Sequence, residues 1–387
     1  MKADSYKVCT RCMMDTTDKF IVFDKNGVCN HCHSYDEYVK NNILSSSDKK
    51  KFLKELISLI KKEGEGRKYD CIIGLSGGMD SSYVAYLVKK YNLRTLIVHF
   101  DNGWDTEVAT ENVKKIIKKT GYDYFNYKVD YDEFIDLQRA YLKASVVDIE
   151  VPTDMAIFSL IPKIALKYDV KYILYGTNIE TESTMGSNWN YTKMDRRNLE
   201  TIHKTFGEKE LKTYPYYKPM EQLLFKMKKI KQINILLYDE CNYSIIKDVI
   251  SKEFGWEAYS VKHGESVFTK FYQSYILPRK FGIDKRKAHL SDQINSHHIT
   301  RAEALNVLAT PLYLTKEEEV AEYNHVLDRL GFTDVEFERI MNIPVKSHNE
   351  YSTSMLYGNF IDRIILKLIE FKPLVSLLTK IYQKNKK

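Results

Sequence analysis

The sequence lacks the features that send a chain across or into a membrane. Its opening, Met1-Lys2-Ala3-Asp4-Ser5-Tyr6, has no apolar signal core, and nowhere do eighteen apolar residues run together. A cytoplasmic protein without stable membrane insertion is expected. No internal repeat or low-complexity tract is present. No Gly-Lys-Ser/Thr follows a glycine turn at Walker A spacing, which argues against a P-loop NTPase. Cysteine is scarce beyond residue 32, where only Cys71 and Cys241 occur. Neither sits in a C-x₂-C pair or a Gly-x-Cys-x-Gly elbow, and none follows Met1, so a disulfide framework, a redox pair and a built-in glutaminase are all unexpected. The 387 residues, 44% apolar with net charge +7, suffice for two or three domains with a full core. That charge is spread over a Lys-rich chain; it suits acidic ligands without implying nucleic acid.

What is present begins with Ser76-Gly77-Gly78-Met79-Asp80-Ser81-Ser82, directly after the apolar run Tyr69 to Leu75 and before a helix-compatible stretch. Strand, tight turn and helix start form an anion site: unpaired N–H groups carry positive charge, and Gly77 and Gly78 allow close backbone approach. Ser76, Ser81 and Ser82 add hydroxyl donors, and Asp80 can hold the Mg²⁺ that accompanies a polyphosphate.

Four of the six cysteines lie in the first 32 residues. Cys9-Thr10-Arg11-Cys12 and Cys29-Asn30-His31-Cys32 are two C-x₂-C knuckles separated by sixteen residues. With an expected strand at Phe20 to Phe23 and a turn at Asp24 to Gly27, they describe a ribbon holding structural Zn²⁺ through Cys9, Cys12, Cys29 and Cys32. His31 and His33 are expected to be ordinary surface residues.

Between residues 46 and 175 strands and helices alternate. A capped helix follows Ser45; strands are expected near 94–101, 124–129 and 171–175, and helices over 106–119, 131–143 and 154–168. The fold class expected is α/β, a parallel sheet covered on both faces, with ligands at the carboxyl ends of its strands. Asp154 either caps its helix or serves as a ligand. After residue 260, six Lys or Arg lie between His263 and His289 against two acids, interleaved with aromatics. Such a segment suits a phosphorylated or carboxylated substrate, or the charge that develops as pyrophosphate leaves. Leu356, Phe360, Ile361, Ile364, Ile365, Leu368 and Ile369 mark a terminal amphipathic helix before a basic tail. The expected division is 1–45 ribbon, 46–260 nucleotide domain and 261–387 helical substrate or partner region.

SGGMDSS resembles the pyrophosphate loop of the PP-loop ATP pyrophosphatases, which include GMP, asparagine and NAD synthetases and the tRNA thiolases. That resemblance implies ATP cleavage to AMP, with the end of the second strand at His99, Phe100 and Asp101 along the adenosine, and Gly176-Thr177 near the phosphates. Taken with the ribbon and with KHGESVFTKFYQ and FGIDKRKAHLS, the loop is similar to that of the N-acetyl sugar amidotransferases of bacterial surface-glycan synthesis, over roughly residues 8 to 310. This implies an acetamido group converted to an acetamidino group, in lipopolysaccharide O-antigen or flagellar sugars, on a nucleotide-linked or nonulosonic acid substrate. ATP, Mg²⁺ at Asp80, and Lys262, Lys285 or Arg286 at the α-phosphate would serve the chemistry. It also implies ammonia from a separate glutaminase through a barrel-type channelling subunit. A tRNA thiolase is the alternative, since some combine cysteine knuckles with this loop; a non-enzymatic nucleotide-binding scaffold is a third.

Overall fold

In Cys71-Ile72-Ile73, Leu96-Ile97-Val98 and Tyr172-Ile173-Leu174 every residue is buried, and successive side chains point to opposite sides. Ile72, Leu96, Val98 and Ile173 enter one apolar cluster, while Cys71, Ile73, Ile97, Tyr172 and Leu174 enter another. Strands apolar on both sides need a sheet covered on both faces. A computed structural model has this arrangement, and describes residues 6–177, 182–216, 218–240, 243–259 and 264–354. The C-terminal amphipathic helix and basic tail, Cys241, and Lys262 lie outside the described residues.

Five strands, β1 (Cys71–Gly74), β2 (Thr95–Asp101), β3 (Asp123–Lys128), β4 (Tyr172–Tyr175) and β5 (Lys231–Asn234), form one sheet in the order β3-β2-β1-β4-β5. Every pairing is parallel, with Ile73 opposite Ile97 on one side and Leu174 on the other. After a helix α1 (Asn30–Asn42), helices α2 (Ser46–Gly64), α3 (Met79–Lys90) and α4 (Glu107–Thr120) cover one face together with helix Tyr243–Phe254. Following α5 (Tyr131–Ala144), helix α6 (Val151–Tyr168) covers the other face with helix Pro219–Met227. Ser45, Thr106 and Asp130 cap α2, α4 and α5 as their side chains allow. Crossovers leave β1 toward β2 on one side, and β4 lies on the other, so the switch point falls at the carboxyl end of β1.

A third cluster joins α5 to the later helices through Phe134, Leu137, Tyr141, Phe268, Phe271, Val326 and Phe337. The four ribbon cysteines belong to that same cluster, so the ribbon packs into the body of the protein. Its backbone is tied there: Met13 N–H donates to Ser291 Oγ at 3.0 Å, and Trp189 Nε1 donates to the Thr17 carbonyl at 3.3 Å. Residues past 264 enter through the loop after β2, where Thr106 N–H donates to the Glu265 carbonyl and Val267 N–H to that of Trp104, both at 2.9 Å. Helix Val267–Phe271, capped by Ser266, then runs into the π-helix Tyr272–Phe281.

Several expectations are corrected. Residues Phe20 to Phe23 form no strand, only an isolated bridge from Phe23 to Cys29; the turn at Asp24 to Gly27 is present, with Gly27 N–H donating to the Asp24 carbonyl at 3.0 Å. His31 is not a surface residue: it is half-buried, 2.7 Å from the buried Asp18 carboxylate. Helix α6 begins at Val151 with Glu150 at its N-cap position, so Asp154 is no cap. Strand β5 reads Lys-Gln-Ile-Asn, too polar to announce itself, because it is an edge strand whose outer side needs no partner.

Lys287 of helix Arg286–Asn295 pairs with Asp15, whose side chain is fully buried. Burial opposes ionisation of Asp15, yet hydrogen bonds from Lys287, Thr17 and Tyr6 hold its pKa below the usual carboxylate value. Lys287→Met should strand that charge and cost about 3 kcal/mol in urea unfolding at neutral pH. A depressed carboxylate stabilises above its unfolded pKa and loses that contribution as pH falls through its folded value. The gap between wild type and variant should therefore close in acid; an unchanged gap would contradict this.

Candidate nucleotide cleft and metal centre

The loop after β1 is fixed from behind. Gly77 has φ +84°, and a Cβ there would lie 2.6 Å from the Ala109 carbonyl oxygen, so only glycine fits. Its own carbonyl accepts hydrogen bonds from Trp256 Nε1 and Tyr259 OH, each at 2.8 Å, and Asn112 holds that segment by exchanging 2.9 Å bonds with Glu257. On the open side the Ser76 and Ser81 hydroxyls lie 3.1 Å apart, and Gly78 N–H donates to Ser76 Oγ at 3.2 Å. Ser82 turns inward, donating to the Gly78 carbonyl at 2.7 Å, so its hydroxyl serves the helix start. Asp80 stands half-buried in the first turn of α3, already engaged within the protein.

Above the loop a cleft of about 600 Å³ opens at the carboxyl ends of β1, β2 and β4. Ser76, Ser81, His99, Phe100, Gly176 and Thr177 line it, so the sheet brings together three of the separate segments named from sequence. Ile157, Phe158 and Ile161 of α6 give it an apolar wall, the surface an aromatic base requires. A Cβ at Gly176 would press on the Leu236 and Val84 side chains at 2.8 Å, so any larger residue there would require them to shift. Asp101 is not among the lining residues; it accepts from Tyr131 OH at 2.7 Å and from Gly103 N–H at 3.0 Å, and Asn102 and Asp105 reach the cleft instead. His99 lies 2.7 Å from the Leu75 carbonyl through Nδ1 and 2.8 Å from the Asp105 carboxylate through Nε2. Both partners only accept, so the ring is satisfied when doubly protonated. Burial opposes that charge, but the bond to Asp105 prevails and raises the His99 pKa.

The basic segment resolves differently from expectation. Lys270 pairs with Glu318 at 2.8 Å and Glu322 at 2.7 Å, Arg279 with Glu319 at 3.0 Å, and Lys287 with Asp15. Lys280 donates to the carbonyls of Ile340, Met341 and Ile343 at 2.6, 3.1 and 2.8 Å. Arg286 holds Asp284 and the Thr310 carbonyl, both at 2.8 Å, and lines neither the cleft nor the chamber beside it. Arg279 lines a separate pocket near Pro311, and of the six only Lys285 reaches the space beside the cleft, an inner chamber of about 290 Å³. Glu150, Asp154 and Thr269 line both spaces and form the wall between them. Desolvation lowers the Lys285 pKa, although Asp148, Glu150 and Asp154 pull the other way.

Sequence reasoning missed Asp148, Glu150 and Lys193. Lys193 links Asp148 to Asp154, 3.1 Å from the latter, and the surrounding carboxylates raise its pKa against the cost of burial. These residues come from a short connection before α6 and an irregular stretch after β4, with no motif spacing to mark them. The one available signal was Asp148-Ile149-Glu150, acids placed inside an otherwise apolar stretch.

At the ribbon, the Cys9–Cys32, Cys12–Cys29 and Cys29–Cys32 sulfurs lie 3.9, 3.6 and 3.8 Å apart, and all four lie within 4.8 Å of one another. A tetrahedron with Zn–S bonds of about 2.3 Å has edges of about 3.8 Å, so the cage fits one such ion. Backbone N–H groups of Arg11, Cys12 and Cys29 donate to Cys9 Sγ at 3.4, 3.4 and 3.2 Å, which suits a thiolate. Held there, Zn²⁺ would cross-link the two knuckles and leave no position open for substrate.

Metal analysis should give about one zinc per chain, and Cys12→Ser should lower both zinc content and soluble yield; a soluble, active Cys12→Ser/Cys29→Ser protein would contradict a structural metal. For His99, a raised folded pKa means that its contribution is complete below the unfolded value near 6.5 and is lost as pH rises through the folded one. NMR titration should place the ring above 6.5, and Asp105→Asn should bring it down. A ring that titrates below that value in the wild type would contradict the imidazolium.

Residues 70–179 match the family described as queuosine biosynthesis protein QueC, and residues 265–364 match LPS biosynthesis protein WbpG-like, C-terminal domain. A stretch of 130 residues, 33% of this chain, is 31% identical to an uncharacterized protein of Methanocaldococcus jannaschii, and the match spans 45% of that relative's length. Among solved structures, NH3-dependent NAD synthetase from Campylobacter jejuni is 16% identical with a TM-score of 0.29, over 55% of this chain and 99% of that one. The U34-tRNA thiolase NcsA from Methanococcus maripaludis, with its four-iron cluster, is 13% identical with a TM-score of 0.31, over 78% and 88%. Overlaps this slight do not bear on function. The chain thus joins a QueC-like segment, set on a five-stranded parallel sheet with the loop at its switch point, to a WbpG-like C-terminal domain.

Proposed function

We propose that the chain is an ATP-dependent, AMP-forming amidotransferase that converts the N-acetyl group of a bacterial surface sugar to an acetamidino group. The observation that carries this reading is the shared wall: a cleft above a phosphate loop adjoins a smaller chamber lined by charged groups, where a small acyl group and a nitrogen nucleophile have room to meet. An amide oxygen is a poor leaving group. Its attack on the α-phosphorus of ATP, with loss of pyrophosphate, makes an O-adenylyl imidate. Ammonia then adds to the imidate carbon, and AMP departs as the C–O bond breaks.

The protein's own part is positioning and charge. Backbone N–H groups at Gly77 and Gly78, with Ser76 and Ser81, hold the pyrophosphate; Asp80 is the carboxylate beside them for Mg²⁺, which when bound would neutralise phosphate charge. Lys285, uncommitted to any ion pair among the described residues, offsets charge at the reacting centre. His99, Phe100 and the α6 wall hold the nucleoside, with Gly176 and Thr177 near the phosphates. Ammonia would come from a separate glutaminase through a barrel-type channelling subunit, and the substrate would be a lipopolysaccharide, O-antigen or flagellar sugar, nucleotide-linked or a nonulosonic acid.

A tRNA thiolase is the competing reading. Among the described residues the one cysteine outside the ribbon is Cys71, buried within β1 with its pKa pushed up to about 12 by desolvation. A thiol so placed is a poor sulfur carrier. The ribbon sulfurs, within 4.8 Å of one another, fit one ion better than a four-iron cluster, whose irons each take a separate thiolate.

Purified protein with ATP, Mg²⁺ and ammonium, offered N-acetylated nucleotide sugars and nonulosonic acids, should release AMP and give a cationic product of slightly lower mass. Glutamine without a glutaminase should not substitute for ammonium. Ser76→Ala or Asp80→Ala should abolish AMP release, and Lys285→Ala should lower turnover at least about tenfold, or about 1.4 kcal/mol. AMP release dependent on tRNA and a sulfur donor would overturn the reading.

A further inference from the structure

We propose that the inner chamber is the nitrogen-donor site: it takes ammonium, and Glu150, in the wall shared with the nucleotide cleft, accepts the ammonium proton so that ammonia passes to the acyl carbon. The inference rests on the amidotransferase reading and adds to it a site and a catalytic base.

Charge is the first ground. Four carboxylates, Asp148, Glu150, Asp154 and Glu182, face two ammonium groups, Lys193 and Lys285, and the His289 imidazole around the chamber, with Glu182 and His289 already engaged within the protein. Lys193 is taken up by Asp148 and Asp154. The surplus is acidic, which disfavours a polyphosphate and favours a small cation. Ammonium is of water size, and the chamber, at about 290 Å³, has room for it beside an acetamido group.

Glu150 is the second ground. Its residue exposure is 8%, and its two oxygens differ: Oε2 accepts from Thr269 Oγ1 at 2.7 Å, while Oε1 is buried with no hydrogen-bond partner. An orphan acceptor at that depth is costly in a folded protein and calls for a ligand or a proton. Lys285 shares the chamber and does not ion-pair with it. Burial and the neighbouring Asp154 push the Glu150 pKa up to about 7, where a carboxylate serves as a base near neutral pH.

The step balances. Ammonium gives its proton to the Glu150 carboxylate and keeps the N–H electron pair. That pair forms the C–N bond at the imidate carbon, and the C–O pair leaves on the phosphate oxygen of AMP. The amide proton has already left with pyrophosphate, and one N–H shifts to the sugar nitrogen to give the amidinium. Protonated Glu150 then returns its proton to solvent.

Two measurements test this on the full chain. Crystals soaked in thallium(I), a cation of ammonium-like size, should show anomalous density in the inner chamber beside Glu150, and Glu150→Gln crystals should lose it. An empty chamber, or density unchanged in the variant, would overturn the site. With an accepted N-acetyl sugar, Glu150→Gln should slow ammonium-dependent product formation about a hundredfold while retaining ATP–pyrophosphate exchange, which reports both folding and the activation step. Hydroxylamine, largely unprotonated at neutral pH, should restore the variant to within a few-fold of wild type; equal losses with both nucleophiles would overturn the base. Glu150→Asp keeps the charge and serves if the Gln variant does not fold: it should retain thallium. If no N-acetyl sugar releases AMP from the wild type, the amidotransferase reading fails, while the thallium result still decides the cation site.

Discussion

Two backbone hydrogen bonds between the loop after β2 and the start of the C-terminal region govern how the two halves of the chain meet. Thr106 and Trp104 on one side, and Glu265 and Val267 on the other, set the register in which helix Val267–Phe271 arrives at the carboxyl edge of the sheet. From that register follow Thr269 at Glu150 and Lys285 in the chamber. It also brings Glu265 against the loop: a Cβ on Gly78 would lie 3.2 Å from its carboxylate. Without this strap the cleft would lack Glu265, Ser266 and Thr269 from its wall, and the chamber Thr269, Tyr272 and Gln273. The segment matched to the WbpG-like domain begins at this strap, so the matched domain completes the cavity.

The second organising feature is where charge is spent. A sequence with six cations in a short segment suggests a phosphate site, yet five hold the helical region together. Lys280 gathers three carbonyls at the end of helix Asp334–Asn342, Lys270 and Arg279 fasten helix Lys316–Leu330, Arg286 fastens its own turn, and Lys287 fastens the ribbon. The anion site is left to backbone N–H groups and two serines, where a helix start supplies positive potential without a flexible side chain. Such a division puts dipoles at the polyphosphate and keeps full charges for the chamber, where a lower dielectric makes each one count for more.

What the sequence disclosed follows the range of the interactions involved. Strands β1, β2 and β4, the loop and the cysteine knuckles were legible because each is written in adjacent residues: apolar on both sides, glycine at a positive φ, two thiols in one turn. Strand β5 was not, because its four polar residues gain their identity only from β4. Asp101 was misjudged for a related reason, since the strand-end turn offers three polar residues and Tyr131 decides which one faces away. The chamber was the least visible: Glu150, Lys193, Thr269 and Lys285 are far apart in the chain and become one site only through the strap and the ribbon's packing.

The central claim is a division of labour, with nucleotide in the outer cleft and acyl group and nitrogen in the inner chamber. A crystal structure of the full chain with a non-hydrolysable ATP analogue and Mg²⁺ tests it most directly. The expected result is a triphosphate on the backbone N–H groups of Gly77 and Gly78, adenosine along His99 and Phe100, and no phosphate oxygen beyond the wall formed by Glu150, Asp154 and Thr269. A triphosphate seated on Lys285 inside the chamber would contradict the account.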